Sequence, residues 1–291
     1  MPRELTEEQV SFFHRHGYLV IPRFWDDETV SRLRTRILEV VQGYGDLSSQ
    51  EAAVFTTNEQ SRDDDDYFLS SGGKISFFWE ENSRDSHGNW RQSPEMSINK
   101  IGHALHDLDP VFEAVSYSPR VGDICRDLGL RRPKSVQSMY IFKQPRIGGE
   151  VSPHQDGTFL YTEPQSVLGL WWALDDCSVT NGCLWVVPGS HKLPVSRKFR
   201  RKPAPSRGTE FFPPEPVSFD LKGSVPVECP LGTLVLLHSA LVHFSEENRS
   251  SHSRHAYTLH VVEGVPDVVY PEDNWLQRPS HLPFRYIEFN D

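Results

Sequence analysis

Residues 232–262 read GTLVLLHSALVHFSEENRSSHSRHAYTLHVV. Two short apolar runs, TLVLL and AYTLHVV, enclose a polar stretch rich in Ser, Asn, Glu and His. Runs of this length, β-branched or aromatic and bounded by turn-forming residues, read as strands. The same texture extends upstream, through SVQSMYIF (135–142), VLGLWWALDD (167–176), GCLWVVPGSH (182–191) and SVPVEC (224–229). Short strands at such spacing predict an all-β sandwich or barrel. No succession of strand–helix–strand units is visible, which argues against a doubly wound sheet. No internal repeat is present.

The N-terminal part reads differently. Thr6 followed by Gln9 is a capping-box pattern, Val10 and Phe13 continue at helical spacing, and Gly17 can end the helix. YLVIP (18–22) is a short strand that Pro22 closes. A second helix from about Asp27 to Gly43 carries Val30, Leu33, Ile37 and Val40 or Val41 on one face. PEMSINKIGHALHDLDPVFEAV (94–115) and PRVGDICRDLGL (119–130) also read as helical. Asp63 to Asp66 form a solvent-facing loop without the alternation and glycine of a calcium loop. Asn181-Gly182 signals a tight hairpin turn before the strand CLWVV. The expectation is mainly β structure with N-terminal helices, in a single domain spanning 1–291. A helical part to about 134 packs on a β core of about 135–265, with a C-terminal extension to 291.

Of 291 residues, 37% are hydrophobic and 24% charged, the balance of a globular protein. The net charge of −10 argues against nonspecific nucleic-acid binding. One basic cluster, SRKFRRK (196–202), offers Arg197, Lys198, Arg200, Arg201 and Lys202 as a solvated loop or a contact for an anionic substrate. No stretch has the length needed to cross a bilayer. Cys125, Cys177, Cys183 and Cys229 form no CxxC pair and are expected to be reduced and buried. The N-terminal residues lack a secretory pattern and RYIEFND lacks a peroxisomal signal, so cytoplasm is the expected location.

The chemistry concentrates in two places. In SPHQDGT (152–158), His154 and Asp156 lie two apart, so in a strand they present an imidazole and a carboxylate to one point. Taken alone, such a pair is as readily a solvated turn beside Gly157. The second place is the 232–262 stretch, with His238, His243, His252, His255 and His260. One of these histidines completes a 2-His-1-carboxylate triad, which on iron(II) leaves positions open for a chelating cosubstrate and dioxygen. Zinc accepts the same ligands in a hydrolase. Arg254 favours a 2-oxo acid, because the distal carboxylate of such a ligand needs a bidentate cationic partner; its bland alternative is a surface ion pair.

LTEEQVSFFHRHGYLVIPRF (5–24), HQD (154–156), NGCLWVVPGSH (181–191) and HFSEENRSSHSR (243–254) together resemble the phytanoyl-CoA dioxygenase family over nearly the whole chain. The resemblance implies a double-stranded β-helix, of the jelly-roll or cupin kind, holding iron(II) and 2-oxoglutarate and activating O2, with ascorbate as a stimulant. It places iron on His154, Asp156 and His243, preferring His243 to His238 through the Ser245, Asn248 and Arg254 pattern. Arg254 then clamps the C5 carboxylate, Ser245 donates a hydroxyl near it, and Lys100 reaches the cosubstrate. Trp172 is the aromatic wall of that pocket, and Met139 a further lining residue. His252, His255 and His260 become turn, packing or supporting groups. His191 ends a rigid rim and is not a ligand. Retention of Asp156 favours hydroxylation over halogenation.

The implied reaction converts 2-oxoglutarate and O2 to succinate and CO2 and hydroxylates a small molecule at a C–H bond. The substrate reads as an unidentified small molecule, anionic or acyl-CoA-like, without nucleic acid or membrane insertion. An acyl-CoA 2-hydroxylase stands beside it. So do a metal-dependent hydrolase and a noncatalytic metal-binding protein on the same fold.

Overall fold

Thr6 starts the first helix by accepting from the Gln9 amide while the Gln9 side chain accepts from Thr6 N, and Gly17 (φ 83°) ends it. The computed structural model describes residues 3–45, 47, 53–54 and 66–290. Its N-terminal part runs α1 (Glu7–His16), β1 (Tyr18–Ile21), α2 (Asp27–Gly43), β2 (Ala53–Val54), α3 (Asp66–Ser70), β3 (Ile75–Trp79), β4 (Ile98–His103), α4 (Leu105–Leu108), α5 (Pro110–Ser116) and α6 (Pro119–Asp127). There follow β5 (Pro133–Ile141), β6 (Val151–His154), α7 (Asp156–Phe159), β7 (Leu168–Ala173), β8 (Leu184–Val186), β9 (Lys198–Arg201) and β10 (Thr209–Phe212). The chain then forms β11 (Val225–Val227), β12 (Leu234–His238), β13 (His243–Ser245) and β14 (Ala256–Glu263).

The strands pair as the double-stranded β-helix requires. β12, β7, β14 and β5 lie side by side in the large sheet, and β11, β8, β13 and β6 form the small one. All neighbours within these two sets run antiparallel. From β5 onward the strands alternate between the two sheets, except that β8 and β11, which flank the β9–β10 hairpin, pair with each other in the small sheet; this is the connectivity of a jelly roll.

The large sheet is buried on both faces, so its strands are nearly continuous apolar runs rather than alternating ones. Leu170 and Trp172 of β7 face the helices and join Leu33, Ile37, Phe112 and Ile124 in the largest core cluster. Trp171 and Ala173 face the small sheet and join Leu184, Val186 and Leu237. α2 sits where the apolar stripe predicts, burying Val30, Leu33, Ile37 and Val41. The four cysteines are buried free thiols.

Three expectations are corrected. Residues 98–103 form β4 rather than a helix: the strand lies between β3 and β5, and all of its residues are buried. Sheet pairing overrides the local helical pattern there, and helix resumes only at Leu105 and Pro110. The N-terminal part is therefore not purely helical, since β1 to β4 extend the large sheet at both edges. Asn181-Gly182 is no hairpin turn: it closes a capped turn at 179–181, with Gly182 at φ 78°, and β8 pairs with β11 and β13 in the other sheet. The Asp63–Asp66 run lies outside the described residues except for Asp66, which begins α3.

The C-terminal extension returns along the body, with bridges from Asn274 to Arg200 and from Tyr286 to Lys134. It contributes Trp275 and Leu276 to a third apolar cluster with Phe68 and Phe199.

Candidate metal centre

β6 and β13 lie adjacent in the small sheet with His154 directly opposite His243. Register alone therefore brings two imidazoles from distant parts of the chain together, their ring centroids 4.2 Å apart. Beyond His154 the chain leaves β6 and Asp156 opens α7, so the ligands converge through a turn rather than along one strand. That turn is fastened to the segment preceding His243: Gln155 Nε2 donates to Ala240 O (2.8 Å), and Gly157 N to Ser239 O (2.8 Å).

His154, Asp156 and His243 each offer a ligand atom, all within 4.8 Å of one another. Nε2 of His154 lies 3.7 Å and Nε2 of His243 3.6 Å from Asp156 Oδ1. The opposite ring nitrogens donate to backbone carbonyls, His154 Nδ1 to Ser152 O (2.9 Å) and His243 Nδ1 to Leu241 O (3.1 Å). Such bonds fix the tautomer and aim a lone pair inward from Nε2. Burial, helped by the His154 ring, pushes the His243 imidazole down to about 4, so it is neutral and ready to ligate near neutrality. For Asp156 burial acts upward, but His243 and His260 outweigh it and hold the carboxyl well below its ordinary range. His260 Nε2 stands 3.3 Å from Asp156 Oδ2, so this histidine steadies the carboxylate. Gly169 makes room for it: a Cβ there would lie 2.8 Å from Asp156 Oδ2.

The three groups open into a cavity of about 640 Å³ between the sheets. One wall carries Arg254, Ser245, Lys100 and Met139. Arg254 is 2% exposed; its Nη2 donates to Gly182 O (3.0 Å), and its Nε and Nη1 have no hydrogen-bond partner among the described residues. Lys100 lines the cavity from β4 and is buried, not solvated on a helix. Ser245 Oγ accepts from the Lys143 ammonium at 3.0 Å, which leaves its own proton free to donate. Asn248 shapes the turn before Arg254 by donating to Lys143 O (2.8 Å) and His252 O (2.7 Å).

Trp172 is not a cavity wall. It is fully buried on the helix side of β7, stacked on Trp25 with centroids 4.4 Å apart. Neighbouring strand residues face opposite ways, so Trp171 is the one that lines the cavity, 5.3 Å from the Arg254 guanidinium. The remaining histidines divide as follows. His238 packs near Phe13 and His191, where burial pushes it down to about 4. His191 donates to or accepts from no cavity group; its Nε2 meets His14 O at 3.0 Å. His255 shares a hydrogen bond with the Tyr140 hydroxyl (2.7 Å), and His252 sits in the exposed turn.

Sequence reading missed Lys143, whose only local mark is a charge directly after the apolar strand ending MYIF. It also missed the aromatic wall. Phe159 lies 5.8 Å from His154, 5.6 Å from Phe199 and 6.1 Å from Phe211, centroid to centroid. Nothing local announces this wall, because β9 and β10 reach the centre only by tertiary packing.

The basic cluster is already engaged. Arg197 donates to Pro213 O and Pro214 O, Lys198 pairs with Glu163, and Arg200 meets Glu210 at 2.9 Å. Arg201 donates to Trp275 O and Leu69 O.

A jelly roll carrying two histidines and one carboxylate that can hold a metal ion is the class that this fold and site define. Solved structures share the fold. The iron-bound EctD of S. alaskensis superimposes with TM-score 0.63 at 19% identity, covering 95% of this chain and 83% of that one. The α-ketoglutarate-dependent carbocyclase SnoK of nogalamycin biosynthesis gives 0.62 at 21% identity, covering 91% and 86%. The phytanoyl-CoA dioxygenase (PhyH) family model matches residues 13–256. A phytanoyl-CoA dioxygenase of Arabidopsis thaliana is 46% identical over 274 residues, 94% of each chain. The phytanoyl-CoA dioxygenase domain-containing protein 1 of Bos taurus is 48% identical over 286 residues, 96% of this chain and 97% of the relative. The chain belongs to the phytanoyl-CoA dioxygenase family.

Proposed function

We propose that the protein is an iron(II)- and 2-oxoglutarate-dependent dioxygenase that hydroxylates a small molecule. The observation that carries this reading is Arg254, a buried guanidinium with two unpartnered donors in the same cavity as the His154, Asp156 and His243 cluster. A buried charge left this way is costly unless a ligand satisfies it. A dicarboxylate that chelates a metal with one end and meets Arg254 with the other fits both features. EctD of S. alaskensis, which shares the fold, has been solved with bound Fe and with 2-oxoglutarate.

Iron(II) with 2-oxoglutarate and O2 supplies oxidative decarboxylation to succinate and CO2, coupled to C–H hydroxylation. The protein's part is placement. His154, Asp156 and His243 would hold the metal, with Ser152 O, Leu241 O and His260 orienting them. Arg254 and Ser245 would receive the distal carboxylate, and Trp171 would cover the guanidinium face. A zinc hydrolase would use the same ligands but leave Arg254 with nothing to hold.

The substrate end is the aromatic wall of Phe159, Phe199 and Phe211 beside His154. This favours an apolar C–H substrate. An acyl-CoA 2-hydroxylase remains the second reading through the family resemblance, but its phosphates would have to compete with the carbonyls and carboxylates that already occupy the basic cluster.

The test is CO2 and succinate release from 2-oxoglutarate under air, with iron(II) and no added substrate. Release that disappears in His154→Ala and drops in Arg254→Ala supports the reading. Failure of the protein to bind both iron(II) and 2-oxoglutarate removes it.

A further inference from the structure

Lys143 is 2% exposed and lines the same cavity as Arg254. Its ammonium donates to two neutral oxygens, Gly149 O at 2.6 Å and Ser245 Oγ at 3.0 Å. Its own carbonyl accepts from Asn248 Nδ2 (2.8 Å) and Arg254 N (3.2 Å), so one residue fixes both Ser245 and the start of the Arg254 segment. Gly182 makes this possible: a Cβ there would lie 2.6 Å from Lys143 Cε. The backbone carries Lys143 at φ 41°, a conformation that side chains other than glycine rarely adopt and that persists only where the surroundings impose it.

Two buried cations thus face one end of the cavity, each bonded only to neutral oxygens in the contacts given above. Burial, then the like charge of Arg254, pushes the Lys143 ammonium down to about 7, against Glu80, Glu150 and Glu247, which pull it up. Glu80 itself is buried, and burial raises its carboxyl, so it is a weak counter-charge. Lys100 lines the cavity from β4.

We propose that Lys143 is a positioning cation of the cosubstrate pocket: it orients Ser245 and draws a proton from solvent when the distal carboxylate of 2-oxoglutarate arrives. This rests on the cosubstrate reading above. An incoming carboxylate favours the charged form of a nearby amine, so binding and protonation are linked. Because burial and Arg254 lower the free amine, binding at alkaline pH takes up a proton. Affinity falls as pH rises, by up to about tenfold per unit until the bound-state value is reached.

Calorimetry of 2-oxoglutarate binding to the full chain, loaded anaerobically with manganese(II), decides the matter. Titrations at pH 8 in buffers of different ionisation enthalpy read the protons taken up. The expected result is net proton uptake on binding in the wild type and none in Lys143→Gln, which keeps a donor for Ser245 without a titrating charge. Lys143→Met, checked for folding by circular dichroism, should behave likewise with weaker binding. Binding without proton uptake by the wild type overturns the proposal, and so does unchanged uptake in Lys143→Gln. No binding by the wild type at any pH would instead remove the cosubstrate reading, and Lys143's role with it.

Discussion

Replacing Arg254 by methionine should separate ligand binding from stability. Among the described residues the guanidinium, 2% exposed, makes one hydrogen bond, to Gly182 O at 3.0 Å, while Nε and Nη1 have no partner. Losing the one bond costs about 1 kcal/mol, but each unpartnered buried donor removed returns about 1–3 kcal/mol. Arg254→Met should therefore be at least as stable as the wild type without ligand. With 2-oxoglutarate the balance inverts. Two charge-assisted bonds at about 1.5–3 kcal/mol each are lost, together about 3–6 kcal/mol or roughly 10²- to 10⁴-fold in Kd. Thermal unfolding of the manganese(II)-loaded proteins reads both effects. At about 100 times the wild-type Kd, ligand stabilises by about 2.7 kcal/mol, a rise of roughly 5–10 °C in Tm for a chain of this size. At the same concentration the variant should rise by about 1 °C or less. If the variant melts several degrees below the wild type without ligand, the two donors are satisfied within the protein and the argument fails. It also fails if the variant keeps the wild-type rise with 2-oxoglutarate.

Other outcomes follow from the same geometry. His154→Ala should weaken iron(II) binding by more than about 100-fold in anaerobic competition with a chelator, because the opposed His243 cannot reach the ion from both sides; unchanged affinity would move the metal elsewhere. Trp172→Ala should cost about 3–5 kcal/mol in urea unfolding, as a core truncation. Trp171→Phe should instead weaken 2-oxoglutarate binding by about 1 kcal/mol, through its contact with Arg254; the reverse pattern would restore Trp172 to the cavity. Gly182→Ala should destabilise by about 1–3 kcal/mol, since φ is 78° and the new Cβ would meet Glu246 O and Lys143 Cε at 2.6 Å; urea unfolding reads that cost, and calorimetry should show weaker 2-oxoglutarate binding as well.

The sequence by itself determined what local chemistry can encode. Thr6 with Gln9, and Gly17 after them, set the first helix because a side chain and its near neighbours satisfy the same backbone groups. Val30, Leu33, Ile37 and Val41 set the second helix through one apolar stripe. The short β runs announced an all-β sandwich or barrel, and the family resemblance narrowed it to a jelly roll; His154, Asp156 and Arg254 were legible as residue types suited to a metal and a dicarboxylate, while the resemblance chose His243 among the histidines. Tertiary structure decided the rest. The strand at 98–103 carries a helical pattern, and only its place between β3 and β5 makes it extended. Choosing Trp171 over Trp172 needs the face of β7 that looks inward, which no run of uniformly buried residues reveals. Lys143 and the β9–β10 aromatic wall are ordinary in sequence; burial against Arg254 and His154, contributed by distant segments, is what gives them a part in the site.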